Sequence, residues 1–141
     1  MSELTARLDL PLWTHAPAAA RRAVTGVLLS WGLDDPAWLD AAEVVVSELV
    51  TNACLHGGGA IELSVRWHDP AVTVSVVDGA SVVPHGPGPN GTGGAGMTII
   101  EALTTRWGVE DHQGGKRMWV ELPPAPAGPR PSAGTAREAL A

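Results

Sequence analysis

Two neighbouring stretches alternate strictly between apolar and polar residues, and they leave this chain little choice of architecture. Over residues 60–67, Ile61, Leu63, Val65 and Trp67 fall on one side of an extended backbone; over 71–78, Val72, Val74 and Val76 do the same. His68-Asp69-Pro70 lies between them and reads as a turn, so the two stretches form a β-hairpin with one apolar face. Such a face must be covered, and helices are one of the few covers available.

Two upstream segments fit that task. Residues 17–31 read as a helix, with Pro17 at an early position, Val24, Val27, Leu28 and Trp31 at three-to-four spacing, and Gly32 as a stop. Asp34 or Asp35 then caps a second helix, with Pro36 in its first turn, that runs to about Leu55 and ends at Gly57-Gly58-Gly59. Residues 5–12 make a further strand, Leu8, Leu10 and Leu12 sharing a face and Pro11 marking a sheet edge or the strand's end. Residues 79–95 are rich in Gly and Pro and read as a long mobile loop. A third helix follows from about Ala95 to Thr105, then strands at about 106–111 and 116–122 joined through Gln113-Gly114-Gly115. The order β-α-α-β-β-loop-α-β-β predicts an α+β two-layer sandwich: a mixed, mostly antiparallel sheet covered on one face by helices. The domain spans 1–122, and the Pro/Ala-rich residues 123–141 read as a disordered tail.

Composition excludes several functions. The net charge of −6 argues against non-specific binding to nucleic acid or to an anionic membrane. No stretch approaches the ~18–20 apolar residues of a membrane span, and the N-terminus lacks the pattern of a secretory signal. The single cysteine, Cys54, cannot form an intrachain disulfide, so a cytoplasmic setting is expected. Cys54 itself reads as a small core residue rather than a nucleophile. No His/Cys spacing suits zinc, and with no tyrosine in the chain a phenol general acid is excluded. Trp31 and Trp38 read as packing residues, and Trp107 and Trp119 as core residues or cross-strand neighbours.

Three segments carry possible chemistry. In Ser47-Glu48-Leu49-Val50-Thr51-Asn52, Glu48 and Asn52 project from one helix face a turn apart. A carboxylate beside a carboxamide could hold a metal ion and poise a nucleophile, though polar residues at this spacing are commonly just a solvated face. In Asp78-Gly79, an acid at the end of an apolar strand could accept a hydrogen bond from a base amino group; the plainer reading is a turn. In Gly91-Thr92-Gly93-Gly94-Ala95-Gly96-Met97-Thr98, glycines and a helix start could bring backbone N–H groups to a phosphate, or could be a plain connector. No Gly-Lys-Ser/Thr closes the segment, so it is not a P-loop.

Taken in order, these segments resemble the GHKL (Bergerat-fold) nucleotide-binding superfamily, which includes gyrase, histidine kinases and MutL. The fuller pattern is similar to the anti-sigma-factor serine kinase branch, RsbW- and SpoIIAB-like proteins of the actinobacterial type. That pattern comprises Ser47-Glu48-Leu49-Val50-Thr51-Asn52-Ala53, His56-Gly57, the Gly93-Gly94-x-Gly96-Met97 helix start, Arg106-Trp107-Gly108 and Gly114-Gly115-Lys116. The resemblance covers about residues 5–122. It implies ATP and Mg²⁺ as cofactors. Asn52 would ligate Mg²⁺, Glu48 would act as catalytic base or orient the acceptor hydroxyl, and Asp78 would read the adenine amino group. Gly79 would let the base approach, residues 84–95 would form a lid, and Gly93, Gly94, Gly96, Met97 and Thr98 would meet the phosphates. The activity implied is phosphorylation of Ser/Thr on an antagonist protein, together with binding of a sigma factor, in a possible homodimer. The alternative is the same fold acting as a protein-binding module with little or no ATP turnover.

Two features depart from that pattern. The lid has His85 as its one ionisable group, so it brings no Lys or Arg to a γ-phosphate. Arg117, between Lys116 and Met118, stands where the family usually carries a hydroxyl residue near the adenine-reading acid. It would either form a salt bridge with Asp78 and block it, or point outward.

Overall fold

The computed structural model describes residues 3–11, 15–56, 60–78, 94–112 and 114–126. Along the chain run β1 (Leu4–Pro11), α1 (Ala16–Ser30), α2 (Pro36–His56), β2 (Ala60–His68), β3 (Ala71–Asp78), α3 (Gly94–Leu103), β4 (Arg106–His112) and β5 (Gly115–Leu122). The strands form one five-stranded sheet in the order β1-β2-β3-β5-β4. Every neighbouring pair is antiparallel, so the sheet has no parallel component. Pro11 does lie on an edge strand, as its last residue.

The two alternating stretches pair as a hairpin in the register Val65↔Val74 and Leu63↔Val76. Their apolar rows, Ile61, Leu63, Val65 and Val72, Val74, Val76, are all buried. Met118, Val120 and Leu122 of β5 extend the same face, because β5 pairs with β3 at Val74↔Val120 and Val76↔Met118. Onto it pack α1 through Ala20, Val24 and Leu28, α2 through Val45, Val46, Leu49 and Val50, and α3 through Met97 and Ile100, in one continuous core. α1 lies against α2, and the two helices are tied across their polar edge. Arg21 donates to Ser47 Oγ at 2.8 Å, and Thr25 donates to a Glu43 oxygen at 2.7 Å.

The start of α2 is set locally. The Trp38 backbone N–H donates to Asp35 Oδ2 at 2.9 Å, so Asp35, of the two candidate acids, is the N-cap, with Pro36 as the first helical residue. The Trp38 indole Nε1 donates to the Pro123 carbonyl at 2.8 Å, and Ala125 packs against the core, which fixes the chain where it leaves β5. Trp31, at the end of α1, stacks on Trp67 of β2 with ring centroids 6.3 Å apart. Both tryptophans of the helix–helix turn are therefore used in packing.

The other sheet face is polar and open. Arg7, Arg66 and Arg117 stand on it among Ser64, Thr73 and Ser75. Trp119 belongs to this face as well, whereas Trp107, paired with the buried Val120, faces the helices. The two residues are thus on opposite sides of the sheet, not cross-strand neighbours. The residue opposite Trp119 is Gly108, and a Cβ there would come within 2.8 Å of the indole Cζ2. Trp119 lies flat across the glycine, with the Arg106 guanidinium 5.8 Å from its ring centroid and Arg106 Nε 2.6 Å from Glu121 Oε1.

Candidate functional site

The α2 helix places the first pair of candidates. Asn52 lies on the buried stripe with Leu49 and Ala53, and the residue is only 6 % exposed. Among the described residues its carboxamide has no hydrogen-bond partner. A buried amide with nothing to bond costs free energy, and such groups in folded proteins normally answer to a ligand or water. Glu48, one turn earlier, is half-buried, and its carboxylate is likewise unpaired among the described residues. Its neighbour Ser47 is held by Arg21. Cys54 is exposed rather than in the core: Ala53 takes the buried position, and the next residue turns about 100° away from it. Partial desolvation of its sulfur against the helix surface still pushes the Cys54 thiol above its ordinary range.

The sheet supplies the second element. Asp78 continues the inward row of Val72, Val74 and Val76 and is the last residue of β3. On β5 the inward row, read back from Leu122 through Val120 and Met118, reaches Lys116, and the ladder sets Asp78 opposite Lys116. The ammonium lies 3.1 Å from Oδ2 and 3.4 Å from Oδ1, with side-chain exposures of 1 % for Lys116 and 2 % for Asp78. It is a buried ion pair at the end of the core, where both apolar rows run out.

Arg117 takes no part in that pair. It points to the open face, where it bonds Glu110 on β4. Of the two alternatives for Arg117, the outward one holds; the salt bridge with Asp78 exists, but its cation is the preceding residue. Sequence reasoning missed Lys116, although a signal was present: Met118, Val120 and Leu122 alternate as core positions, and counting back by two lands on Lys116.

The third element is α3. Its helical backbone begins at Gly94, so Gly94 and Gly96 lie in the first turn, whose free N–H groups form the positive end of the helix. No acidic residue stands in that turn to compete for an anion. The Met97 side chain is buried in the core and anchors the helix, which leaves only its backbone for any ligand; Thr98 is exposed. α2 packs against both β3 and α3, so the elements bearing Glu48, Asn52, Asp78 and the α3 N-terminus form one packed unit. Gly79, Gly93 and lid residues 84–93 lie outside the described residues, as does 127–141 of the tail.

The donor set fits a magnesium ion bound together with phosphates. Among the described residues no group of three or more His, Cys, Asp or Glu could hold a metal by itself. Mg²⁺ in nucleotide sites keeps waters and phosphate oxygens and needs few protein ligands, and the Asn52 amide oxygen, without a partner among the described residues, would suit as one such ligand. Among the described residues no helix is long and apolar enough to cross a membrane.

Comparison with known families gives one result. The model of a family described as a histidine kinase-like ATPase domain matches residues 12–122, which takes in α1 to β5 and every candidate residue above. No curated protein matches the chain significantly.

Proposed function

The chain belongs to the histidine kinase-like ATPase domain family, and from that premise we propose that it is an ATP-dependent regulator of the anti-sigma-factor kinase type. In this reading it works in the cytoplasm, transfers the γ-phosphoryl group to a Ser or Thr of a small antagonist protein, and binds a sigma factor. The observation that carries the nucleotide part is Asn52, a buried carboxamide on the core side of α2 with no partner among the described residues.

Placement supports the roles of Asn52, Glu48 and the start of α3. The Asn52 amide oxygen would hold Mg²⁺, which when bound neutralises charge on the phosphates. The first turn of α3, with Gly94 and Gly96, would direct backbone N–H groups at the phosphate oxygens. Glu48, half-buried and unpaired among the described residues, would accept the proton of the attacking hydroxyl or fix its direction. By family resemblance, Gly79, Gly93 and Thr98 would also belong to the nucleotide site. Catalysis of this kind is mostly positioning and charge neutralisation, which suits a site with few reactive groups.

One observation favours a second reading. The acid expected to read adenine is already engaged by Lys116, which fits a fold used mainly to grip a partner, with little turnover. Incubation of the protein and its antagonist with γ-labelled ATP and Mg²⁺ separates the two. The kinase reading expects label on a Ser or Thr of the antagonist, lost in Glu48→Ala while ATP binding persists. Partner binding without any label would leave the protein-binding module.

A further inference from the structure

Asp78 and Lys116 form an ion pair in which the ammonium faces both carboxylate oxygens, at 3.1 and 3.4 Å, and neither side chain is more than 2 % exposed. A carboxylate can accept from more than one donor, but one whose charge is already met by an ammonium facing both oxygens is a weak acceptor for the amino group of a purine. That amino group offers a neutral N–H, whereas the ammonium offers a full opposite charge in a buried setting. Displacing the ammonium would leave it buried without a counter-charge, and that is the costly way to break a buried pair. The hydrogen bond a base could gain does not offset such a loss.

We propose that Lys116 is a specificity-determining residue that removes base selectivity from this nucleotide site. Its ammonium fills the role of the base's amino donor at Asp78, so a nucleotide is held through its phosphates, by the α3 N-terminus and Asn52, and its base is read weakly. This inference rests on the nucleotide reading given above and assigns that site its selectivity. A purine triphosphate with an amino group at the six-position and one with a carbonyl there should therefore bind alike.

The test is calorimetric titration of the full chain with ATP and with ITP, each with Mg²⁺, beside Lys116→Thr. Threonine removes the ammonium, keeps a hydroxyl that can donate to Asp78, and suits a strand; circular dichroism verifies that the variant is folded. For the unmodified protein the expected affinities for ATP and ITP are equal within a few-fold. Lys116→Thr is expected to bind ATP more tightly and to prefer it over ITP by about tenfold to a hundredfold, the worth of a hydrogen bond to a charged acceptor. Two results overturn the proposal: a tenfold preference for ATP in the unmodified protein, a measurement that needs no variant, or a folded Lys116→Thr that stays unselective. Failure of both proteins to bind either nucleotide is a different result, because it removes the nucleotide reading itself and this inference with it.

Discussion

Lys116 stands opposite Asp78 in the β3–β5 ladder, and its ammonium lies 3.1 Å from Oδ2 of that residue with both side chains withdrawn from water. The contact closes the end of the core beside the proposed nucleotide site. Under the proposal above it serves packing and recognition at once, so substitutions there are expected to act on both stability and binding.

For stability, the expectation depends on which partners are removed. Lys116→Met leaves a buried carboxylate without its cation and should cost about 3–5 kcal/mol, a large share of the ~5–15 kcal/mol that holds a typical domain folded. The double variant Asp78→Asn/Lys116→Met removes both charges at similar volume and should recover most of that loss. Urea unfolding of the three proteins checks it. Equal destabilisation of the single and double variants would mean that shape, not charge, matters at this position.

Gly108 is required by its neighbour rather than by its own backbone. A Cβ at that position meets the Trp119 ring at 2.8 Å, below any ordinary contact. Gly108→Ala should therefore displace the indole, weaken its contact with the Arg106 guanidinium, and cost about 1–3 kcal/mol as an overpacking change. Thermal unfolding combined with the tryptophan fluorescence spectrum reads both effects.

Cys54 gives a dependence on pH. Partial desolvation of the exposed Cys54 pushes its thiol up, so at a given pH the folded protein holds less thiolate than a free cysteine does. The rate of modification by iodoacetamide should be below that of a small thiol at neutral pH and should rise with pH over a range displaced upward. The same reagent on the urea-unfolded chain should react at the ordinary rate. A folded rate equal to the unfolded one would show the thiol to be unshielded.

Much of the fold can be read from the sequence because its signals are local. The β2–β3 hairpin follows from period-two alternation, and the start of α2 from Asp35 and Pro36, whose cap the structure contains. What escapes is anything that depends on strand register. Lys116 and Arg117 are adjacent cations, and only the pairing of β5 with β3 decides which one faces Asp78. Trp107 and Trp119 look like neighbours until the ladder sets Gly108 opposite Trp119. Cys54 lies one position past the buried Ala53, a shift that turns a core residue into an exposed one. The site follows the same rule. That Glu48 and Asn52 share a helix face is legible from spacing alone, while the partner of Asp78 is a property of the assembled sheet.

The most direct measurement is calorimetric titration of the protein with ATP, with and without Mg²⁺, beside Asn52→Ala. Binding is expected to depend on Mg²⁺ and to be lost in the variant, because the Asn52 carboxamide on α2 is the group proposed to hold the metal–phosphate end. ATP binding indifferent to Mg²⁺ and undiminished by Asn52→Ala would contradict this expectation, as would the absence of any ATP binding by the unmodified protein and by Lys116→Thr alike.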